Sequence, residues 1–155
     1  MSSNHRFKNF IHRDDLMPVI EQGIIISFFG GLLIGAIELL LSYVLNMSFQ
    51  WLLLFLIAYA LYQRFKRTMY SGHIGFQILA VLFLWISFYI MQLTSLYGFF
   101  FVNGVTDITL YLRFLNPLVH FTFLNPLNLS FYRLMNVIEV IFFIAASFYA
   151  YRSVK

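Results

Sequence analysis

The stretch GIIISFFGGLLIGAIELLLSYVLN, from Gly23 to Asn46, decides the fold class because it is apolar along its whole length apart from one carboxylate, Glu38. At about 1.5 Å of rise per residue, a helix over this stretch is about 36 Å long. That length is sufficient to cross a hydrocarbon core about 30 Å thick with some tilt. The sequence therefore predicts a transmembrane helix here.

Seven small or polar residues of this stretch recur at steps of three and four, so they share one face of the predicted helix. They are Gly23, Ser27, Gly31, Gly35, Glu38, Ser42 and Asn46. Gly31 and Gly35 form a small-xxx-small pair, which lets the backbone of a second helix come close. The helix-packing face that we expect consists of Ser27, Gly31, Gly35 and Ser42. Glu38 points into that contact, either as a functional ionisable group or as a protonated hydrogen-bond partner in a packing seam.

Composition excludes an ordinary soluble domain. Of the 155 residues, 61% are hydrophobic and only 10% are charged, whereas soluble domains carry about 25% charged residues. The absence of cysteine excludes a disulfide framework, a zinc ribbon and thiol chemistry. The ten Lys and Arg residues give a net charge of +4, and their placement indicates membrane topology rather than binding to nucleic acid.

Four apolar segments are spaced as the spans of an all-α membrane protein, a four-transmembrane-helix bundle. The predicted spans cover about 19–46, 49–66, 74–98 and 132–151. The second is short for a full crossing, so Arg64 and Lys66 at its end are expected to snorkel to the interface. Residues 18–155 then form a single transmembrane domain, preceded at 1–17 by a basic cytoplasmic tail or a surface-lying helix.

The segment 105–131 is apolar but broken twice by proline. The pentapeptide Phe-Leu-Asn-Pro-Leu occurs at 114–118 and again at 123–127. Asn before Pro favours an extended residue followed by a new short helix, and Asp107 is suited to cap the first such helix. Because broken backbone cannot face lipid, we expect this segment to lie in the membrane interface or to re-enter against the bundle.

Charge placement predicts the orientation. With four spans, both termini and the loop at 64–73 share one side of the membrane. That side carries eight of the ten Lys and Arg residues, namely Arg6, Lys8, Arg13, Arg64, Lys66, Arg67, Arg152 and Lys155. The positive-inside rule then predicts a multi-pass protein of the cell membrane with both termini in the cytoplasm. A five-span alternative, with 108–127 as a crossing, would bury Arg113 and place the C-terminus outside.

Two carboxylates that are distant in sequence lie at similar depth in the predicted bundle. Glu38 precedes the outer end of its span by about 12 Å, and Glu139 follows the outer end of the last span by about 10 Å. The candidate intramembrane polar site consists of Glu38, Glu139, Gln92 of the third span and Arg113 of the broken segment. A close carboxylate pair can bind a proton or a cation, or clamp a guanidinium. In the alternative, Arg113 or a backbone group satisfies each carboxylate and the pair is only structural.

No motif in the sequence indicates catalysis. The four histidines are scattered, and there is no His-Glu-x-x-His spacing for a metal and no Gly-x-Ser-x-Gly elbow for a nucleophile. The sequence therefore predicts no catalytic residue, no metal site and no cofactor.

Three functions are compatible with these observations. The leading interpretation is a non-enzymatic accessory or assembly subunit of a larger membrane complex, because the chain is small and its small-residue stripe is available to a partner helix. Its partners would be the lipid bilayer and another membrane protein or a second copy of the chain, and not nucleic acid. The alternative is a small proton- or cation-coupled transporter, working as a homo-oligomer, with Glu38 and Glu139 as its ionisable site. The third is a membrane-embedded lipid-modifying enzyme.

Overall fold

The computed structural model describes residues 13–68, 74–128 and 132–154, and these ranges contain helices and no strand. The α-helices are α1 (Arg13–Ile25), α2 (Gly31–Leu45), α3 (Gln50–Thr68), α4 (Ile74–Val102), α5 (Ile108–Phe114), α6 (Pro117–His120) and α7 (Leu134–Ser153). A π-helical turn (Ile26–Gly30) joins α1 to α2, and a 3-10 turn (Thr122–Leu124) follows α6. Of the tail or surface helix predicted at 1–17, residues 1–12 lie outside the described residues.

Three helices in the described ranges are long and apolar enough to cross a membrane. They are the continuous helix Leu16–Leu45 and the helices Ile74–Val102 and Leu134–Ser153. α3 is not among them, because three basic residues, Arg64, Lys66 and Arg67, lie near its end. The protein is therefore all-helical in these ranges, and its apolar helices are compatible with a membrane protein.

Two helix boundaries differ from those that the sequence predicts. α1 already includes Arg13, the first described residue, so Pro18 lies inside the helix and not in its first turn. α4 continues to Val102, whereas the sequence predicts an end near Gly98. A Cβ on Gly98 would lie 2.4 Å from Leu39 Cδ2. This glycine therefore makes room for a neighbouring side chain inside a continuous helix and does not end it.

The small residues of the first long helix pack against α4 of the same chain. A Cβ added to Gly31 or to Gly35 would lie 2.9 or 2.6 Å, respectively, from a backbone oxygen of α4. Ser27 is buried and donates its hydroxyl to the Phe83 carbonyl oxygen at 2.9 Å. We call this contact of Ser27, Gly31 and Gly35 with α4 the glycine seam. It brings two helix backbones together as a small-xxx-small pair allows.

Side-chain contacts establish the directions of the long helices. Contacts of the first helix with α4 run in the same order along both: Ser27 with Phe83, Gly31 with Ser87, and Gly35 with Met91. Contacts of α3 with α4 run in opposite order: Gln50 with Gln92, then Phe65 with Phe83. Contacts of α7 with α4 also run in opposite order: Phe143 with Phe88, then Ser147 with Trp85. α2 and α4 therefore run in one direction, and α3 and α7 in the other.

Short helical elements follow α4. Asp107 caps α5 by accepting hydrogen bonds from the Thr109 hydroxyl at 2.6 Å and the Thr109 N–H at 2.9 Å, and these bonds, chiefly that of the hydroxyl, lower the pKa of Asp107. Asn116 caps α6, whose first residue is Pro117. The sequence predicts both of these starts. It also predicts a helix after the Asn-Pro pair at 125–126, but a turn follows there.

The segment from α5 onwards follows α4 back from its end towards its middle. Its residues contact progressively earlier positions of α4: Tyr111 with Tyr97, Leu115 with Tyr89, and Phe121 with Phe88 and Trp85. These positions of α4 extend over about 18 Å of helix. The 3-10 turn then places the buried ring of Phe123 against Phe88 and Phe143, at centroid distances of 5.6 and 5.5 Å. The segment thus enters the space between α4 and α7.

Replacement of Gly35 by alanine should destabilise the bundle. The new methyl carbon would lie 2.6 Å from the Met91 carbonyl oxygen, which is backbone and has little freedom to move. Overpacking of this kind costs about 1–3 kcal/mol of folding free energy. We expect Gly35→Ala to lower the midpoint of thermal unfolding of the protein purified in detergent.

Gly30→Ala is the matched control for this substitution. A Cβ at Gly30 would meet only Ile26 Cγ2, at 3.6 Å, which is an ordinary contact. Alanine has a higher helix propensity than glycine by about 1 kcal/mol, so Gly30→Ala should leave the midpoint unchanged or raise it. Equal midpoints for the two variants would contradict the close approach of α2 to α4.

Candidate functional site

The connection between α2 and α3 returns the chain to the level of Glu38. Asn46 ends α2 in the left-handed conformation, with φ 52°, and the non-helical residues 47–49 lead into α3. Phe49 donates its backbone N–H to both carboxylate oxygens of Glu38, at 3.2 and 3.1 Å. α3 therefore begins beside the last two turns of α2 and not level with its end.

The side chain of Glu38 accepts hydrogen bonds from three residues. Its side chain is only 3% exposed. Besides the Phe49 N–H, it accepts from the hydroxyls of Ser48 at 2.7 Å and Ser42 at 3.1 Å. An ionised carboxylate accepts at both oxygens, and the first N–H groups of a helix lack helical partners and carry positive partial charge. The Glu38 carboxyl group thus holds the residues that lead into the N-terminus of α3.

The sequence indicates Glu38 but not these partners. Capping side chains are sought within about three residues of a helix start, whereas this cap comes from a different helix. Ser48 and the Phe49 N–H are therefore functional contacts that sequence reasoning missed. One signal was available: α3 has no acidic residue in its own first turn.

A second set of hydrogen bonds is centred on Gln50, which sequence reasoning also missed. Gln92 Nε2 donates to Gln50 Oε1 at 2.5 Å, and Gln50 Nε2 donates to Glu139 Oε1 at 2.8 Å. Because the carboxylate of Glu139 accepts the last bond, both amides point their N–H groups towards it. These bonds link α3, α4 and α7 at one level of the bundle.

The two sets of hydrogen bonds adjoin, because Phe49 and Gln50, which carry them, are consecutive residues. The structure thus gathers three residues of the predicted polar site, Glu38, Glu139 and Gln92, around the start of α3. The fourth, Arg113, is exposed on α5, and no ion pair within the described residues joins it to either carboxylate. The predicted guanidinium clamp is not formed, because α5 stays near the end of α4 while the carboxylates lie deeper.

A partly open cavity of about 220 Å³ lies between α4, α7 and the segment after α5. Its lining residues are Gln92, Leu96, Phe114, Val119, His120, Thr122, Phe123 and Glu139. The second carboxylate oxygen of Glu139, Oε2, accepts no hydrogen bond from the described residues. This oxygen is accessible to solvent, because every fully buried side-chain oxygen or nitrogen atom in these residues has a hydrogen-bond partner. One nitrogen of His120, Nε2, lies 2.7 Å from the Phe114 carbonyl oxygen. The cavity therefore offers one unpaired carboxylate oxygen beside an amide, an imidazole and a hydroxyl.

Three buried aromatic rings pack together next to this cavity. Phe88, Phe123 and Phe143 have ring centroids 5.1 to 5.6 Å apart, and Phe123 also lines the cavity. Rings in tilted or edge contact at these distances attract one another. We call these three rings the aromatic layer.

The predicted helix-packing face is used within the chain. Ser27, Gly31 and Gly35 contact α4 in the glycine seam, and Ser42 donates to Glu38. In the described residues, α4 of the same chain therefore occupies the part of this stripe that Ser27, Gly31 and Gly35 form.

Comparison of the chain with protein-family models, with curated proteins and with solved structures finds no match. Among the described residues, no group of three His, Asp or Glu side chains is close enough together to hold a metal ion. Function is therefore inferred from the polar contacts and the cavity themselves.

Replacement of Glu38 by glutamine should destabilise the protein. The amide nitrogen would face a backbone N–H or a hydroxyl that needs an acceptor, and an unsatisfied buried donor costs about 1–3 kcal/mol. We expect Glu38→Gln to lower the midpoint of thermal unfolding in detergent. The matched control is Glu21→Gln, which removes the same charge from an exposed position on α1. A Glu38→Gln protein as stable as Glu21→Gln would contradict the capping role.

Proposed function

We propose that the protein is a four-span integral membrane protein with both termini in the cytoplasm, working as a small proton- or cation-coupled transporter. The observation that carries the proposal is the carboxylate of Glu139, which lines a cavity between two long helices and a broken segment. The directions of the helices, the placement of charge, the path of the broken segment and the chemistry of the cavity support it in turn.

The directions of the helices support four spans. α2 and α4 run one way and α3 and α7 the other, so each long helix carries the chain from one end of the bundle to the other. α3 has 19 residues and is about 28 Å long, close to a hydrocarbon core of about 30 Å. It is short because it starts below the end of α2. Its basic residues extend its reach by snorkelling.

Charge supports the orientation. The end of the bundle where α3 and α7 end carries the basic residues Arg64, Lys66, Arg67 and Arg152. The opposite end carries Arg113 and Arg133. Under the positive-inside rule the first end faces the cytoplasm, and the described chain begins and ends at that end.

The path of the broken segment supports a polar pathway. Its 3-10 turn reaches the middle of α4 and α7, where Phe123 meets Phe88 and Phe143. Non-helical backbone at membrane depth is tolerated where it is buried in protein or lines a water-filled cavity. Here the segment lines the cavity that contains Glu139. We interpret it as a re-entrant segment entering from the outer side.

The chemistry of the cavity favours a small cation. Glu139 supplies a carboxylate oxygen, and Gln92 and Thr122 add neutral oxygens. The rings of Phe114 and Phe123 line the same space, and aromatic rings attract cations. A volume of about 220 Å³ admits an inorganic cation with part of its hydration shell or a small organic ammonium ion, since a water molecule occupies about 30 Å³.

Transport of the cation is coupled to protons because both ligands bind the same carboxylate, that of Glu139. A cation binds Glu139 in its ionised form, and a proton bound to the same oxygen excludes the cation. The two ligands therefore compete, which is the requirement for exchange across the membrane. The aromatic layer keeps the site closed towards the cytoplasm while it is reached from outside.

The four-span topology predicts how introduced cysteines will react. The chain has no cysteine of its own, so single substitutions at Ser71, Asn103 and Ser153 can be labelled with a membrane-impermeant maleimide. Cysteine at Asn103 should react from outside, and cysteine at Ser71 or Ser153 only after the cytoplasmic face is opened. Labelling of the Ser153 position from outside would show five spans in place of four.

Replacement of Glu139 by glutamine should abolish transport and leave the fold intact. We would reconstitute the protein in liposomes containing a pH-sensitive dye and impose gradients of Na⁺, K⁺ or tetramethylammonium. At least one of these cations should drive a proton flux, and Glu139→Gln should reduce that flux at least tenfold. In detergent, the same cation should raise the unfolding midpoint of the unmodified protein, less so at low pH because protonation displaces it.

Glu21→Gln is the control for this experiment, because it removes an exposed carboxylate outside the site. It should retain the flux and the thermal shift of the unmodified protein. The proposal is wrong if none of the three cations drives a flux or shifts the midpoint, or if Glu139→Gln behaves as the unmodified protein does.

A further inference from the structure

A groove with a basic mouth runs between α3 and the π-helical turn of the first long helix. Its mouth is a cavity of about 480 Å³, and it continues into a cavity of about 310 Å³. The two cavities share four lining residues, Ile26, Phe29, Gly30 and Ala60. They therefore form one continuous groove, which we call the lipid groove. It is separate from the cavity that contains Glu139.

The mouth of the lipid groove is cationic. Arg64 and Arg67 line it beside Gln63 and Tyr59, and no acidic residue lines it. Within the part of the chain that the structure describes, neither guanidinium has a hydrogen-bond or ion-pair partner. Lys66, in contrast, donates to the Tyr62 hydroxyl at 3.0 Å and does not line the groove. Two guanidinium groups therefore line the mouth within one turn of α3.

The rest of the lipid groove is apolar. Beyond the shared residues its walls are Leu33, Ile34, Leu56 and Ile57. Gly30 lies where the two cavities join, and a Cβ there would meet only Ile26 Cγ2, at 3.6 Å. The absence of a side chain at Gly30, in a π-helical turn of the kind often found at functional sites, leaves the junction open.

We propose that the lipid groove binds an anionic phospholipid, with its phosphate between Arg64 and Arg67 and one acyl chain along the apolar part. Guanidinium groups suit phosphate because their planar N–H donors form paired hydrogen bonds with its oxygens. From Arg67 to Leu56, α3 rises about 16 Å, which is close to half of a hydrocarbon core of about 30 Å. A basic pocket between helices at the cytoplasmic side is suited to acidic head groups.

The combination of a charged mouth and an apolar continuation identifies the ligand. A free phosphate ion would occupy only the mouth and would leave the apolar part unused. A neutral phospholipid would fill the apolar part but would gain little from two guanidinium groups. An anionic phospholipid uses both parts, in the leaflet where the basic residues of the bundle gather.

Lipid binding can be measured by native mass spectrometry on protein released from detergent, titrated with phosphatidylglycerol or phosphatidylcholine. We expect phosphatidylglycerol to bind at least tenfold more tightly. Arg64→Gln and Arg67→Gln should each weaken its binding at least fivefold. Lys66→Gln removes the same charge from a neighbouring position outside the groove and should change binding less than twofold.

Gly30 provides the test of the apolar part. Gly30→Leu should place a side chain at the junction and weaken phosphatidylglycerol binding at least fivefold, whereas Gly30→Ala should not. Thermal unfolding midpoints of both variants, measured without lipid, check that they fold. The proposal is overturned if Lys66→Gln weakens phosphatidylglycerol binding as much as Arg67→Gln, or if phosphatidylcholine binds as tightly as phosphatidylglycerol. It is also overturned if inorganic phosphate competes fully with the lipid and Gly30→Leu has no effect, because the ligand would then be a free anion.

Discussion

α3 starts inside the bundle, where Glu38 accepts the backbone N–H of Phe49, the residue that precedes the first turn of this helix. In an apolar environment each unsatisfied backbone group costs several kcal/mol. The Glu38 carboxylate accepts the Phe49 N–H and the Ser48 hydroxyl. This contact lets α3 begin below the end of α2, so the level of every residue on α3 follows from it.

The positions of the other polar groups depend on that starting point. Gln50 is the first residue of α3, and at this level its amide can bridge Gln92 and Glu139. One turn of α3 higher or lower, about 5.4 Å, the amide would not reach both. The bridge orients Glu139 so that one oxygen is held and the other is left for the cavity. A buried contact of one helix thus orients a carboxylate that lines the cavity on another.

The sequence was sufficient for those features that depend on a single helix. Apolar length predicts the long helices, and the spacing of Gly31 and Gly35 predicts a close helix contact. Features that depend on how helices meet were not predictable in the same way. From the sequence, Gln50 is an ordinary residue of the membrane interface, because the sequence does not show that α3 starts deep in the bundle. Gly98 likewise indicates a helix end, because the sequence does not show that Leu39 packs against it. The three-dimensional path of the broken segment likewise depends on aromatic contacts that no sequence spacing encodes.

The π-helical turn at Ile26–Gly30 has a consequence for the register of the first long helix. Gly23, Ser27, Gly31 and Gly35 follow at steps of four, and on a straight α-helix each step would rotate the stripe by about 40°. Three steps would turn it by about 120°, away from α4. A π turn closes over one more residue than an α turn and absorbs about 100° of that rotation. The π turn has the geometry of a helix into which one residue has been inserted. The small residues before and after it therefore face the same neighbour, α4.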